Sequence, residues 1–352
     1  MAGGLYGFPA DYALWWLAFA SLLVHTWCFF RFYPGKQRPR MKLVVGNGMV
    51  TLCLLGAVAL SAETYLRFLS VGTDSFGMTS ASDRWFTLHV DLNSQRVRDA
   101  EWVVQKPADV RRIAFVGDSF TYGWGVERVE DRFTNRIAAR FDDAPAGKIE
   151  VMNVAMPGWD TGDQIPAIND MIDRYGVDEI VLCYVANDIE RLIPIQGGID
   201  PTEPPKPRWF NVTGSALVEY LFYRVYAPHS PTVSGYHDWL ADAYDDRDLM
   251  RRQQDRLGVI IKKCRDEGVT LRVALMPYIR IGGTRLKPTN LHKRLATFFE
   301  TNGVQVVDLL PVLVGQDTAE LVVNAHDAHP NARAHELFAD TIWRAFYAGD
   351  SP

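Results

Sequence analysis

The chain has 352 residues, a formal net charge of -5, 48% hydrophobic and 22% charged residues, and at about 150 residues per domain it accommodates roughly two structural units. The near-neutral balance supplies no basic field for nucleic acid, and ten Trp with fourteen Tyr at an ordinary charge density exclude a disordered chain. The four cysteines, at positions 28, 53, 183 and 264, form no CxxC pair, so neither a disulfide framework nor a zinc ribbon is indicated.

Two apolar runs come first, Tyr12 to Phe30 and Leu43 to Ala62, and neither contains Asp, Glu, Lys or Arg. Each has the roughly 20 residues needed to cross about 30 Å of hydrocarbon. A transmembrane hairpin over residues 1–63 is expected, with spans at about 12–30 and 43–62. The polar exceptions, His25 and Asn47, are expected to find partners on the neighbouring helix. Gly46, Gly48 and Gly56 suit close helix approach, and Trp15, Trp16 and Trp27 sit toward the ends of the first span, where indoles prefer the interface. The loop between the runs carries Arg31, Lys36, Arg38, Arg40 and Lys42 with no acidic residue, a bias that holds a short loop in the cytoplasm. Both termini then lie on the far side, and everything from about Glu63 onward is periplasmic or extracellular at a bacterial-type plasma membrane. The second run also resembles a secretion signal ending in the small residues Ala59, Ser61 and Ala62, so cleavage there is an alternative to the uncut hairpin, the preferred reading.

Residues 64–110 read as a connector, and 111–352 as the main domain. There, apolar runs at Ile113–Val116, Ile149–Val154, Ile180–Val185, Leu271–Leu275 and Val304–Leu309 read as buried strands. Helical patterns at Arg132–Phe141, Asp163–Tyr175, Leu249–Glu267, Asn290–Thr301 and Ala332–Tyr347 alternate with them. Strand-helix alternation requires a mostly parallel sheet covered on both faces, a three-layer α/β domain, with reactive groups gathered at the carboxyl ends of the strands. An insertion at about 192–246 interrupts the pattern. It is rich in Pro and in aromatics (Trp209, Tyr220, Tyr223, Tyr226, Tyr236, Trp239), which suits either a substrate-facing lid or plain packing.

After the first strand, Gly117-Asp118-Ser119-Phe120-Thr121-Tyr122-Gly123 places a serine on a glycine-flanked turn. A serine hydroxyl needs an adjacent base and donors for the oxyanion that forms when it attacks a carbonyl. Of the eight histidines, His329 stands out, directly after the last apolar segment and before the last helix, with Asp327 two positions away to orient the imidazole. Asp118 is expected to shape the turn by hydrogen bonding. Cys183 and Cys264 read as packing residues. Taken singly, Ser119 reads as a cap or turn serine, Gly158 as a tight turn, Asn187 as a cap and His329 as a surface histidine. Their joint order at the ends of successive strands favours one site. No Gly-x-Gly-x-x-Gly, P-loop or Gly-x-Ser-x-Gly string accompanies these groups.

Four blocks in order resemble the SGNH (GDSL-type) hydrolases, serine esterases and acyltransferases on a flavodoxin-like α/β fold, over most of Asn93 to Phe346. Gly117-Asp118-Ser119 is similar to the block of the nucleophile. Asn153-Val154-Ala155-Met156-Pro157-Gly158 is similar to the block whose glycine gives a backbone oxyanion donor. Asn187-Asp188 matches the block whose asparagine gives a side-chain donor, and Asp327-Ala328-His329-Pro330-Asn331 the block of base and carboxylate. Upstream, Asn93, Arg98, Asp99 and Glu101 resemble the run before the serine block in membrane-anchored members. Val185 stands where the third block usually opens with glycine. His326 occupies the usual aspartate position three before the base, the minus-two spacing being that of the alginate acetyltransferase branch. The resemblance implies Ser119 as nucleophile, His329 and Asp327 as base and orienter, an oxyanion hole of Ser119, Gly158 and Asn187, and no metal or cofactor. It further implies an acyl-ester substrate, with O-acyl groups of envelope polysaccharide first and a lipid or small ester second. A non-catalytic scaffold in surface-polymer export is the alternative from another class.

Overall fold

A computed structural model describes residues 10–34, 38–75, 77, 79–142, 148–194, 214–230, 234–279 and 289–348. The chain forms two compact units, one of Met1–Val71, Thr79–Ala81 and Pro204–Val233, the other of Gly72–Met78, Ser82–Glu203 and Ser234–Pro352.

In the first unit, α1 (Ala10–Phe32) and α2 (Pro39–Thr64), the latter running on through a π turn at Tyr65–Leu69, are long and apolar enough to cross a membrane by length and composition. A Cβ added at Gly46 would lie 2.7 Å from the Phe30 ring and one at Gly56 3.0 Å from that of Phe19, so these glycines admit α1 as expected, whereas Gly48 faces open space. The polar residues behave differently from expectation. His25 Nδ1 donates to the Ser21 carbonyl of its own helix at 2.7 Å, because a carbonyl four residues back lies within reach, and Asn47 is exposed on α2. Tyr12 and Thr64 link the two helices by a 2.7 Å hydroxyl pair. In the last turn of α2, the buried Glu63 carboxylate accepts from Ser215 Oγ (2.7 Å) and from the backbone N–H of Ala216 (3.0 Å) and Leu217 (2.8 Å), starting α7 (Ala216–Leu221). The insertion therefore divides. Tyr220, Tyr223 and Tyr226 belong to the hairpin unit, Tyr236 and Trp239 of α8 (Tyr236–Asp245) to the sheet unit, and Trp209 lies outside the described residues.

In the second unit, β1 (Val110–Gly117), β2 (Lys148–Ala155), β3 (Glu179–Tyr184), β4 (Thr270–Leu275) and β5 (Gln305–Asp308) form one parallel sheet in the order β2-β1-β3-β4-β5. Both faces are buried, and the period-two alternation of strand side chains sorts the residues between them. Ala114, Val116, Ile180, Leu182 and Tyr184 face a core with Ile168 and Met171 of α6 (Thr161–Asp173), Leu257 and Ile261 of α9 (Arg247–Asp266), and Leu295 and Phe299 of α10 (Thr289–Thr301). Ile113, Phe115, Val181 and Cys183 face the opposite core with Phe133 and Ile137 of α5 (Phe133–Asp142) and Phe338 and Ile342 of α11 (Ala332–Phe346). Cys183 and Cys264 are buried free thiols in these cores, burial pushing the Cys183 thiol up to about 12.

Most of the expected connector folds with the sheet. It contains α3 (Ser80–His89), and the fully buried Arg98 guanidinium donates to the carbonyls of Gly123 (2.9 Å), His89 (2.9 Å) and Val126 (2.8 Å). Asp99 accepts from the Asn153 backbone N–H (2.9 Å), fixing β2 beside the same segment. Near the carboxyl end, a short antiparallel hairpin absent from the sequence expectation, β6 (Val322–Asn324) and β7 (Asp327–Pro330), carries the His329 block.

Candidate active site

The strand order reverses beside β1, because β2 lies on one side of it and β3 on the other. In such sheets the crevice at the carboxyl ends of the two strands is where ligands bind. Register aligns the ends: Gly117 pairs with Ala155, and Val116 with Leu182, so the segments bearing Ser119, Gly158 and Asn187 leave the sheet at one edge.

The turn after β1 is tight. A Cβ at Gly117 would lie 2.2 Å from Thr121 Oγ1 and 3.1 Å from the Cys183 Cβ, so only glycine lets the next helix fold back so closely. That helix, α4 (Ser119–Tyr122), is capped by Asp118, whose carboxylate accepts the Phe120 N–H at 2.9 Å, and it ends at Gly123 with φ +75. Ser119 thereby stands at the first helical position. The other Asp118 oxygen accepts from Asn187 Nδ2 at 3.0 Å. Asp118 is fully buried, and burial raises its pKa, while the Asn187 bond acts in the other direction.

His329 Nε2 lies 2.8 Å from Ser119 Oγ, and His329 Nδ1 lies 2.5 Å from Asp327 Oδ1, which also accepts the His329 backbone N–H at 3.1 Å. The hairpin explains the unusual spacing. Residues two apart on a strand share a face, so Asp327 and His329 of β7 point the same way, as the position three back could not. Burial alone lowers the His329 pKa, but the negative field of Asp327, its hydrogen bond, and the charges of Asp118 and Asp74 prevail and raise it above the ordinary 6.5. Burial opposes ionisation of Asp327, and the facing imidazole outweighs it and holds the carboxyl below its ordinary range. With the carboxylate accepting from Nδ1–H, Nε2 is left as a hydrogen-bond acceptor facing the Ser119 hydroxyl.

Met156-Pro157-Gly158-Trp159 closes a turn with Trp159 N–H donating to the Met156 carbonyl at 3.2 Å, and Gly158 at its third position has φ +79, a conformation that selects glycine. Among the described residues, the N–H groups of Ser119 and Gly158 have no acceptor. One Asn187 Nδ2 hydrogen goes to Asp118 and the other is free of a protein acceptor among them. Val185, in the place of the expected glycine, is a buried apolar residue of the sheet core, and its backbone N–H donates to Asp188 at 3.1 Å.

The profile of the GDSL-like Lipase/Acylhydrolase family matches residues 115–337, well over half of the 352 residues. The chain belongs to this family. It is accordingly an ester hydrolase of the GDSL/SGNH type, an α/β enzyme with a five-stranded parallel sheet preceded by two long apolar helices. Similar solved structures include a lipolytic protein of the G-D-S-L family from Veillonella parvula, with 17% identity over 68% of this chain and 99% of that one and a TM-score of 0.42. The esterase EstA from Pseudoalteromonas sp. has 13% identity over 69% and 100%, with a TM-score of 0.43. A catalytic mutant of Axe2, an acetylxylan esterase from Geobacillus stearothermophilus, has 14% identity over 67% and 93%, with a TM-score of 0.42. No curated protein matches.

Sequence reasoning missed Thr73, Asp74 and Ser75. Ser75 N–H donates to the His326 carbonyl at 3.2 Å and its Oγ accepts the Ala328 N–H at 3.1 Å, so this piece of connector grips the turn between β6 and β7. Asn324 Nδ2 donates to the Thr73 carbonyl at 3.1 Å, and the buried Asp74 adds to the negative field on His329. An irregular stretch more than 240 residues upstream of its partners leaves no periodic signal. Phe120, whose ring lies 5.4 Å from that of His329, was visible only as a neighbour of the serine.

Proposed function

We propose that the protein is a membrane-anchored, exported serine esterase or O-acyltransferase acting on O-acyl, chiefly acetyl, esters of cell-envelope polysaccharide. The observation that carries the chemistry is the chain Ser119 Oγ, His329 Nε2, His329 Nδ1, Asp327 Oδ1, with links of 2.8 and 2.5 Å. Ser119 Oγ attacks the acyl carbonyl while its proton passes to His329 Nε2, and Asp327 stabilises the imidazolium that forms. The carbonyl oxygen, now negative, is held by the N–H groups of Ser119 and Gly158 and the free Asn187 Nδ2 hydrogen. Each such donor contributes about 2.7 to 4 kcal/mol. Collapse expels the alcohol, which takes the proton from Nε2 and leaves the acyl group on Ser119. His329 then deprotonates water in a hydrolase, or an acceptor hydroxyl in a transferase, and the acyl ester is cleaved with return of the proton to Ser119.

The anchor and location rest on the two apolar helices and the cationic loop between them, including Arg38, Arg40 and Lys42. The glycan preference rests on the resemblance to membrane-anchored members. Ser119→Ala is expected to abolish acetate release from a chromogenic acetyl ester with the folded state retained, and unchanged turnover refutes the nucleophile. Ester-linked acetate on envelope glycans, compared with and without the gene product, rises on deletion for a hydrolase and falls for a transferase. No change removes the glycan.

A further inference from the structure

The segment after Glu63's contacts carries exposed apolar side chains, Tyr220, Leu221, Val225 and Tyr226, that lie open among the described residues. It runs from α7 through a π turn at Phe222–Tyr226 and a short 3-10 turn at Ala227–His229. In an α-helix a five-residue step turns the chain about 140° past a full circle. The π turn changes this: Ala227 N–H bonds the Phe222 carbonyl five residues back, so five-residue steps nearly stack. Tyr220 and Val225, and Leu221 and Tyr226, are two such five-residue pairs, 41% to 57% exposed, while Ala216, Phe222 and Ala227 are buried.

Two anchors fix this segment within its unit. At its start Glu63 holds the N–H groups of Ala216 and Leu217, and Arg67 donates to the Gly214 carbonyl at 2.5 Å. Further along, Glu219 accepts from Ser80 N (3.1 Å) and Oγ (2.7 Å). The cluster of Glu63 and Arg67, joined by Asp11 at 3.1 Å, stands at the end of α2's apolar run. Charged groups do not rest in hydrocarbon at low cost, so the cluster marks the level at which lipid tails give way to headgroups. The apolar surface continues across that level, through exposed Tyr65 and Leu69, from the exposed Leu54, Leu55 and Val58 of α2. Tyrosine, supplied by Tyr65, Tyr220 and Tyr226, is the residue type that settles in this layer.

We infer that the face of Tyr220, Leu221, Val225 and Tyr226 is an in-plane membrane-binding surface, seated in the headgroup and upper acyl region as an extension of the anchor. The inference rests on the anchor reading of α1 and α2. A patch of this kind left in water is an association hazard, whereas a short helix with one apolar side binds the lipid interface.

The test uses the full chain, with Cys28→Ser and Cys53→Ser, in phosphatidylcholine–phosphatidylglycerol vesicles, spin-labelled in turn at Leu221→Cys, Val225→Cys and Leu55→Cys. Acetyl-ester turnover checks that each variant is folded. Collision with oxygen against a water-soluble nickel chelate reads depth. Labels at 221 and 225 are expected roughly 5–10 Å below the headgroup boundary, with the label at 55 deeper. A label at 55 in lipid with 221 and 225 open to the chelate overturns the inference and leaves the anchor standing. All three open to the chelate removes the anchor as well. Labels at 221 and 225 shielded from both colliders mean a protein cover, a second copy or another chain, and also overturn it.

Discussion

Replacing Asp327 by asparagine isolates the group proposed to set the proton's direction. In the native geometry Oδ1 accepts from both Nδ1 and the His329 backbone N–H. The amide removes the charge and offers an NH2 group that, turned toward Nδ1, places the ring proton on Nε2, where the proposed mechanism delivers the Ser119 proton. The lost attraction between carboxylate and imidazolium is about 4 kcal/mol for charges some 4 Å apart at an effective dielectric of 20, and at about 1.36 kcal/mol per decade this is close to 10³ in rate. The tautomer error carries the loss toward about 10⁴. Asp118 and Asp74 continue to act on His329, so activity falls without vanishing. Steady-state hydrolysis of a chromogenic acetyl ester on the alkaline plateau measures kcat and KM separately, and the fall is expected in kcat. A loss under tenfold would refute the assignment of Asp327 as the orienting group.

Asn187→Ala removes one proposed oxyanion donor and is expected to lower kcat by about 10² to 10³ with little change in KM; kinetics on the same ester checks it. In the proposed mechanism His329 acts unprotonated, and because its pKa is raised, kcat/KM of the native enzyme is expected to fall on the acid side through an inflection above pH 6.5. In Asp327→Asn the largest opposing field to burial is gone, so that inflection moves to lower pH, as a pH-rate series will show. Gly117→Ala forces a methyl into Thr121 and Cys183 and is expected to cost about 1–3 kcal/mol in detergent denaturation. Gly158→Ala meets nothing within 4 Å, so its cost, about 1–2 kcal/mol, comes from φ alone.

The five strands of the sheet were legible because β1 and β3 are buried along nearly their whole length and β2, β4 and β5 keep short apolar runs; Ser119 followed from where the first run ends, and Gly158 and Asn187 from the family blocks after the next two. The hairpin of β6 and β7 was not: three- and four-residue strands of mixed polarity, such as Asp327-Ala328-His329-Pro330, carry no measurable alternation. Without that strand, the minus-two position of Asp327 looked like a departure, whereas the shared face makes it the natural partner. The division of the insertion was also hidden, since Glu63 and Ser215 are separated by 152 residues and the segment is held by the one carboxylate of Glu63. His25 likewise satisfied itself on its own helix, an outcome composition does not distinguish from a bridge to the next one.

The most direct measurement is covalent trapping with a fluorophosphonate, followed by intact-mass and peptide analysis of the full chain. The arrangement at 2.8 Å between Ser119 Oγ and His329 Nε2 predicts one adduct, on Ser119, formed far more slowly in His329→Ala. An adduct on a different residue, or acetyl-ester hydrolysis that persists undiminished with Ser119 blocked, would contradict the account.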